Sequence, residues 1–496
     1  MKPNISLCMI VRNEEANLSE CLTCVDGLFD QKVVVDTGST DGTKAIAEQL
    51  GAQVFDFTWV DDFAAARNES RRRATGDWVF WLDADDRIDA VNRGRLAGLI
   101  DRLSTTDAGR NPVFMMSCRS QKPGEASDFR MSQARLFARD SNLHWVGAVH
   151  ERIECLTEGD RITVHASDVE IRHLGYKDPT DFARKQFRDL CLLEHQYLLN
   201  PDDPLTLYYL ARIHHARGEY AQAVRFARRS VGLDANRTVL STSGSHLILA
   251  ESLSASGRLA DALTAYQQGV TRYPQDLYLR QKYGCLLFDA GRFAEAEACF
   301  RKLLSQDQQA VSYTSTPVDL NGEMSRLMMA RIHMMQQRFA EVDDELRQLI
   351  RMQPGCVEAW DLLAHANLAL GRTQEVRGVI QRLTSVPGTE LEQLLLQARL
   401  GVAEGRLSDA RRWIDQAMAA RPDASAPWII LCDLLFAEGG DRQRCINVHR
   451  KALLMHPNLS DLRQRLEWML DQEARQSSGH NGAASPQLSA GRAFVA

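Results

Sequence analysis

One spacing governs the second half of this chain. Turn tripeptides begin at Gly218, Gly257, Gly291, Gln337, Gly371, Gly405 and Gly439, at intervals of 39, 34, 46, 34, 34 and 34 residues. Seven residues before each turn stands a small side chain: Ala211, Ala250, Gly284, Ala330, Ala364, Ala398 and Cys432. Five residues after the turns stand Ala223, Ala262, Ala296, Val342, Val376 and Ala410, and Pro274, Pro354, Pro387, Pro422 and Pro457 close several units. An antiparallel helix pair buries its apolar face only on the next pair, and close crossing requires small residues at fixed positions. The spacing therefore predicts an all-α solenoid of about seven helix pairs over residues 205–473. The 46-residue step contains Ser312-Tyr-Thr-Ser-Thr-Pro-Val318, read as an inserted loop. Residues 474–496, rich in Ser, Gly and Ala, are expected to be disordered.

The first ninety residues follow another pattern. Apolar, β-branched runs at 5–11, 32–36, 52–57 and 78–82 alternate with helical stretches at 13–25, 42–50 and 63–74. Strands apolar throughout and separated by helices predict an α/β domain with a mainly parallel, Rossmann-like sheet covered on both faces. Ligands of such sheets bind at the carboxyl ends of the strands. That rule singles out Asp36 and the run Asp83–Asp86, where two strands end. We expect this domain to span residues 1–175, with a linking helix over 176–204.

The composition, 44% apolar and 25% charged over 496 residues, is that of a folded globular chain too long for one core. A net charge of −6 gives no reason to expect a nucleic-acid partner. Apolar runs such as Trp78-Val-Phe-Trp-Leu82 fall far short of a bilayer span, and Arg12 interrupts the first one, so neither a transmembrane segment nor a signal peptide is predicted. The eleven cysteines are scattered, and the C-x-x-C of Cys21 and Cys24 lacks a second pair to complete a zinc site. They read as reduced, buried thiols of a cytoplasmic protein. Trp59, Trp78 and Trp81 are expected in the core, and Arg71-Arg-Arg73 on a solvated helix face.

Two strand ends carry the chemistry. Asp83-Ala-Asp85 puts two carboxylates just past a buried strand, where they can face a divalent cation; Mg²⁺ and Mn²⁺ prefer such oxygen ligands. In Asp36-Thr-Gly-Ser39-Thr-Asp41-Gly-Thr43 a carboxylate ends a strand and a helix follows. Asp36 can accept from a nucleobase N–H, Ser39 can support polar ligand atoms, and Asp41 is read as capping the helix.

Taken together, Ser6-Leu-Cys-Met-Ile-Val-Arg-Asn-Glu-Glu15, the Asp36 segment, Asp61-Asp-Phe-Ala-Ala-Ala-Arg67-Asn68 and Gly76-Asp-Trp…Leu-Asp-Ala-Asp-Asp86 resemble the family 2 glycosyltransferases. The resemblance is to the branch with lipopolysaccharide-core glucosyltransferase-like proteins and peptide S-glycosyltransferases. The later repeats resemble tetratricopeptide repeats. The first resemblance implies a GT-A fold, an inverting mechanism and a nucleotide-diphosphate sugar donor, a UDP-sugar first among them. It also implies a divalent metal, Mn²⁺ or Mg²⁺, at Asp83 and Asp85.

Trp145-Val-Gly147-Ala-Val-His150-Glu151 resembles the family's glycine-containing loop and catalytic acid, with His-Glu where many members have Glu-Asp. The resemblance makes Glu151 the general base, with His150 a second candidate. Ile171-Arg-His173-Leu-Gly-Tyr176 resembles the late metal-binding histidine, His173. Arg67 and Asn68 are expected to reach the diphosphate or ribose. Lys185 and Arg188 either hold donor phosphate or pair with Asp181 or Glu194. The implied function is hexose transfer to a protein, peptide or glycan acceptor selected by the repeats, which also offer a protein partner a surface. A repeat scaffold with a degenerate transferase domain is the alternative, against which stand Asp36, Asp83, Asp85, Glu151 and His173. A nucleotidyltransferase would carry a Gly-rich, basic loop after the first strand, where Val11-Arg-Asn-Glu-Glu15 is acidic.

Overall fold

The computed structural model describes residues 3–103, 109–120, 129–157, 160–175, 179–234, 243–305, 322–439, 442–457 and 460–477. The loop expected at 312–318, Tyr176 and residues 478–496 lie outside them, as does the side chain of Asp181. Two compact units divide the described residues at Tyr283 and Gly284.

The first unit opens with the α/β domain. Its strands are β1 (Ile5–Val11), β2 (Gln31–Asp36), β3 (Gln53–Asp56), β4 (Trp78–Trp81), β5 (Asp86–Arg87), β6 (Pro112–Ser120), β7 (Phe129–Ala138), β8 (Leu143–Val146), β9 (Arg152–Cys155) and β10 (Thr163–His173). Helices α1 (Leu18–Cys24), α2 (Thr43–Gln49), α3 (Phe63–Arg73) and α4 (Ala90–Arg102) connect or cover them. Eight strands form one sheet in the order β3-β2-β1-β4-β7-β6-β10-β5, and β8 pairs with β9 apart from it.

From β3 to β4 the sheet is parallel, as the alternation predicts. Its second half is mixed: β7 runs antiparallel to β4 and β6, and β6 is parallel to β10. Only eight residues separate β6 from β7, too few for the crossover that parallel pairing needs. The mainly parallel expectation thus describes the first half only. β1 is buried along nearly its whole length, and its side chains feed both faces of the core, Leu7 and Met9 one cluster and Cys8 another.

Helix α5 (Pro179–Leu199) follows, and then the pairs α6 (Pro204–Ala216) with α7 (Tyr220–Asp234) and α8 (Ser243–Ala255) with α9 (Leu259–Arg272). Helix α10 (Leu277–Asp289) contains the division between the units. The second unit continues with α11 (Phe293–Leu304), α12 (Glu323–Met335), α13 (Phe339–Met352), α14 (Val357–Ala369), α15 (Thr373–Leu383), α16 (Glu390–Ala403), α17 (Leu407–Ala420), α18 (Ala426–Ala437), α19 (Arg442–Met455) and α20 (Ser460–Ser477). The last helix therefore runs past residue 474, where disorder was expected to begin.

The small residues of the period lie where helices cross. Ala211, Ala223, Ala250 and Ala262 are fully buried in the first unit, and Ala330, Val342, Ala364, Val376, Ala398, Ala410 and Cys432 in the second. A Cβ on Gly284 would meet the Phe300 ring at 3.0 Å and Cys299 at 3.2 Å. Each turn needs one residue with positive φ, from Gly218 at 75° to Gly439 at 61°. Gln337, the one departure from glycine, takes 60° as well.

Candidate active site

The acids converge because the chain leaving β4 runs straight into β5, which lies beside the end of β10. β5 pairs antiparallel with the end of β10, in a register that sets His173 opposite Asp86. Asp83, Asp85, Asp86 and His173 then each offer a ligand atom, all within 4.8 Å of one another. A side chain on Gly175 would collide with Asp85 Oδ2 and His173 Nε2, so only glycine lets the chain pass beside these two atoms.

Asp86 holds the cluster from beneath. It is fully buried and pairs at 2.8 Å with Arg135, itself 1% exposed. Its Oδ2 also accepts the backbone N–H of Asp83 at 2.9 Å, and its Oδ1 lies 3.0 Å from His173 Nδ1. That contact orients the ring, whose Nδ1 also lies 3.4 Å from Asp85 Oδ1, as a carboxylate fixes a metal-binding histidine. Burial opposes a charge on His173, but the hydrogen bond it donates to Asp86 and the fields of Asp85 and Asp83 outweigh it and raise its pKa. Burial likewise pushes Asp85 up, aided by Asp83 and Asp86 against the pull of His173.

Arg67, near the middle of α3, joins this cluster to the loop after β8. Its Nη2 donates to Asp83 at 2.9 Å and its Nε to Glu151 at 2.5 Å. Burial weighs against the charge on Asp83, yet Arg67, Arg135 and His173 bring its carboxyl down to about 2. Burial also penalises Arg67, and Asp83 and Glu151 more than restore its charge. Trp81 stands between the cations, with the Arg67 guanidinium 4.0 Å and that of Arg135 3.8 Å from its ring centroid. Two groups so close to one centroid have no room on one face, so the indole separates like charges. Trp81 is thus more than the core residue its sequence suggested. Trp78 is buried, and Trp59 is half-buried against Phe63.

Asp36 ends β2 and is 1% exposed. Its Oδ1 accepts the N–H groups of Gly38 and Ser39 at 3.0 and 2.9 Å. Its Oδ2 is buried and has no hydrogen-bond partner among the described residues. A buried carboxylate oxygen so left is costly unless a ligand donor completes it. Ser39 Oγ accepts from Asn13 N at 2.9 Å, and Asp41 accepts from Thr43 N at 3.0 Å at the start of α2. Glu15 Oε2 caps the same helix through Gly42 N at 2.8 Å.

Other expected site residues stand apart from the cluster. Asn68 donates to Trp145 O at 2.8 Å and accepts from Trp145 N at 3.1 Å, so its amide clamps β8 onto α3 and is not turned toward a ligand. His150 lies flat on Tyr209 of α6, with centroids 3.8 Å apart and planes at 18°. Burial pushes its imidazole down to about 4, so it is neutral at neutral pH and faces the helices. Lys185 donates to Gly175 O at 3.0 Å, while Arg188 pairs with Asp189 and lies over Phe63. In the basic run, Arg72 and Arg73 pair with Glu69, as a solvated face would. Arg71 departs from that reading: it bonds the carbonyls of Arg139 and Ser141 at 2.6 and 2.7 Å and ties α3 to the turn before β8.

The sequence reading singled out the run Asp83–Asp86 without a separate role for Asp86, and it missed Arg135. The signal was an arginine inside the otherwise apolar stretch Ala134-Arg-Leu-Phe-Ala138, because a charge in a buried strand needs a counter-charge. All eleven cysteines are free thiols; Cys191 is exposed, and Cys21 donates to Asp83 O at 3.3 Å from behind the cluster.

Residues 6–169 match the family model for glycosyl transferase family 2, and residues 204–229 and 253–314 match tetratricopeptide repeat models. A TPR repeat-containing protein of Synechococcus elongatus is 36% identical over 179 residues, 35% of this chain and 42% of that protein. The SPbeta prophage-derived glycosyltransferase SunS of Bacillus subtilis is 26% identical over 236 residues, 46% of this chain and 53% of that protein. The chain thus spans about half the length of these relatives or less. Among solved structures, a tetratricopeptide repeat protein from Parabacteroides merdae aligns with 54% of this chain and 98% of its own, at 12% identity and a TM-score of 0.45.

Proposed function

With a glycosyl transferase family 2 domain of GT-A type at its amino-terminal end and tetratricopeptide repeats behind it, this chain is, we propose, a metal-dependent, inverting hexosyltransferase. Its donor is a nucleotide-diphosphate sugar, a UDP-sugar first among them, and its acceptor a protein, peptide or glycan selected by the repeats. One observation carries this reading: Arg67 fixes Asp83 and Glu151 one guanidinium apart, while Asp85 and His173 converge beside Asp83.

The donor set fits a divalent cation. Asp83 and Asp85 supply oxygen and His173 Nε2 supplies nitrogen, a mixture that suits Mn²⁺ better than Mg²⁺. Asp86, occupied by Arg135 and His173, orients the ligands. When bound, the cation would neutralise the charge that builds on the departing diphosphate.

The remaining work falls to side chains. Asp36 Oδ2 accepts an N–H of the nucleobase. Glu151 takes the proton of the acceptor as the acceptor attacks the anomeric carbon from the face opposite the diphosphate. Arg67 keeps that carboxylate aimed. Among the described residues no helix is long and apolar enough to cross a membrane. The protein works in the cytoplasm in this reading, alone or at the inner-membrane surface.

A donor-hydrolysis screen of the purified protein with several nucleotide sugars and Mn²⁺ tests the reading. One preferred donor, hydrolysed by the native chain and not by Asp85→Asn, is the expected result. Hydrolysis of none, with no nucleotide bound, would leave the repeats as the working part and the reading wrong.

A further inference from the structure

We infer that Tyr209 and Gln196, which lie on helices beyond the α/β domain, are positioning residues for Glu151, so that the first repeat helix completes the active site. The inference rests on Glu151 being the base proposed above.

Residues 147–151 form a short connection between β8 and β9, and such a connection does not hold a side chain still by itself. On one side α3 grips it: Phe63 N donates to Ala148 O at 2.9 Å, and Arg67 holds Glu151. On the other side the grip comes from α5 and α6. Gln196 Oε1 accepts Ala148 N at 3.0 Å, and Gln196 Nε2 donates to Thr206 Oγ1 at 2.6 Å. Thr206 in turn donates to Asp203, the residue that caps α6. One turn along α6, Tyr209 receives the ring of His150. Gln196 therefore spans from the loop to the cap of α6, and Tyr209 clamps the residue next to Glu151.

The backbone explains why the clamp matters. His150 has φ 53°, a left-handed conformation that is costly for a non-glycine residue and persists only where its surroundings impose it. The stack on Tyr209 imposes it. Without the ring, His150 returns to an ordinary negative φ and the next Cα–Cβ bond, that of Glu151, swings away from Arg67. A displacement of about 1 Å can cost roughly a hundredfold in rate. The donor's ligands at the ends of β2, β4 and β10 meet this loop through Arg67 and are held besides by Asp86 and by the turn after Asp36, so donor binding changes little.

The full-length protein is compared with Tyr209→Ala, Tyr209→Phe and Gln196→Ala. UDP with Mn²⁺ probes donor binding, hydrolysis of the preferred nucleotide sugar reads kcat, and hydrogen exchange reads residues 147–151. In Tyr209→Ala we expect kcat to fall roughly tenfold or more, with a smaller fall in Gln196→Ala. UDP affinity stays within about twofold in both, exchange of 147–151 quickens, and exchange of 36–39 does not. Tyr209→Phe keeps the ring and restores native kcat and exchange. If Tyr209→Ala fails to fold, Gln196→Ala carries the test, because it removes a half-buried amide and opens no cavity. Native exchange and native kcat in Gln196→Ala and Tyr209→Ala would overturn the inference. So would a loss of UDP binding parallel to the loss of kcat, which marks general destabilisation. Quickened exchange in a protein that hydrolyses no nucleotide sugar even when native would support the anchoring of the loop and overturn the proposed function instead.

Discussion

Arg67 Nε lies 2.5 Å from Glu151 Oε1 while the other end of the same guanidinium reaches Asp83, so one buried cation couples the loop after β8 to the end of β4. The residues are 84 positions apart in sequence, and no short motif contains both. The pairing fixes where the Glu151 carboxylate points before an acceptor arrives, which a general base requires.

Glu151→Gln should lower turnover by roughly a hundredfold or more, with UDP affinity changed little. Steady-state kinetics beside calorimetric titration of UDP measure both. A variant that keeps native turnover removes Glu151 from the mechanism, and one that loses UDP binding moves it to the donor site.

Asp85→Asn should abolish most metal-dependent turnover while the thermal transition stays near native, because Asp85 faces a partly exposed His173 at 3.4 Å, whereas Asp86 holds the fully buried Arg135. Removal of divalent ions by EDTA should have the same effect on the native protein, reversed by added Mn²⁺. Activity that EDTA leaves untouched contradicts a metal role for the cluster.

Arg135→Met should destabilise by about 3–5 kcal/mol, since it leaves Asp86 charged and buried without its partner. The double change with Asp86→Asn should recover much of that loss, because neither charge then remains. It should not recover activity, since the contact that orients His173 is weakened. Denaturant melts of the two variants decide this: equal stability would show that the pair contributes no coupling.

Asp36→Asn keeps an oxygen for Gly38 and Ser39 but turns Oδ2 into an N–H₂ facing the same place. A base N–H then meets a donor. The expected outcome is a loss of UDP affinity of roughly tenfold or more, the equivalent of one charged hydrogen bond. Unchanged affinity would remove the nucleobase from this strand end.

Deleting the second unit from residue 284 onward leaves α5 to α9 in place, and with them Gln196 and Tyr209. The shortened protein should hydrolyse the donor slowly yet transfer poorly to the native acceptor. A soluble, folded product by circular dichroism is the precondition. Transfer equal to that of the whole chain would show that the second unit is not the acceptor platform.

Much of the fold could be read from periodicity, because strand and helix spacings are local. The expected elements of the first ninety residues match β1 to β4 and α1 to α3 within a few residues, apart from the start of α1. The repeat spacing marked the small residues that proved buried at helix crossings. Asp36, Asp83 and Asp85 could be found because strand ends collect ligands, a rule that needs no knowledge of partners. What could not be read was pairing at a distance. Nothing local to Asn68 says that its amide meets Trp145, and nothing local to His150 says that its ring meets Tyr209. The mixed half of the sheet was hidden for the same reason, because strand order is set by long-range register.

The ion pair beneath the acids restricts how this chain can drift. Asp86 answers to Arg135, to His173 and to the backbone of Asp83 together, so no single substitution there is tolerated and any escape requires paired changes. A lineage that diversifies its sugar or its target must therefore leave this floor alone. Its freedom lies along the repeats, and a search for altered specificity should start there.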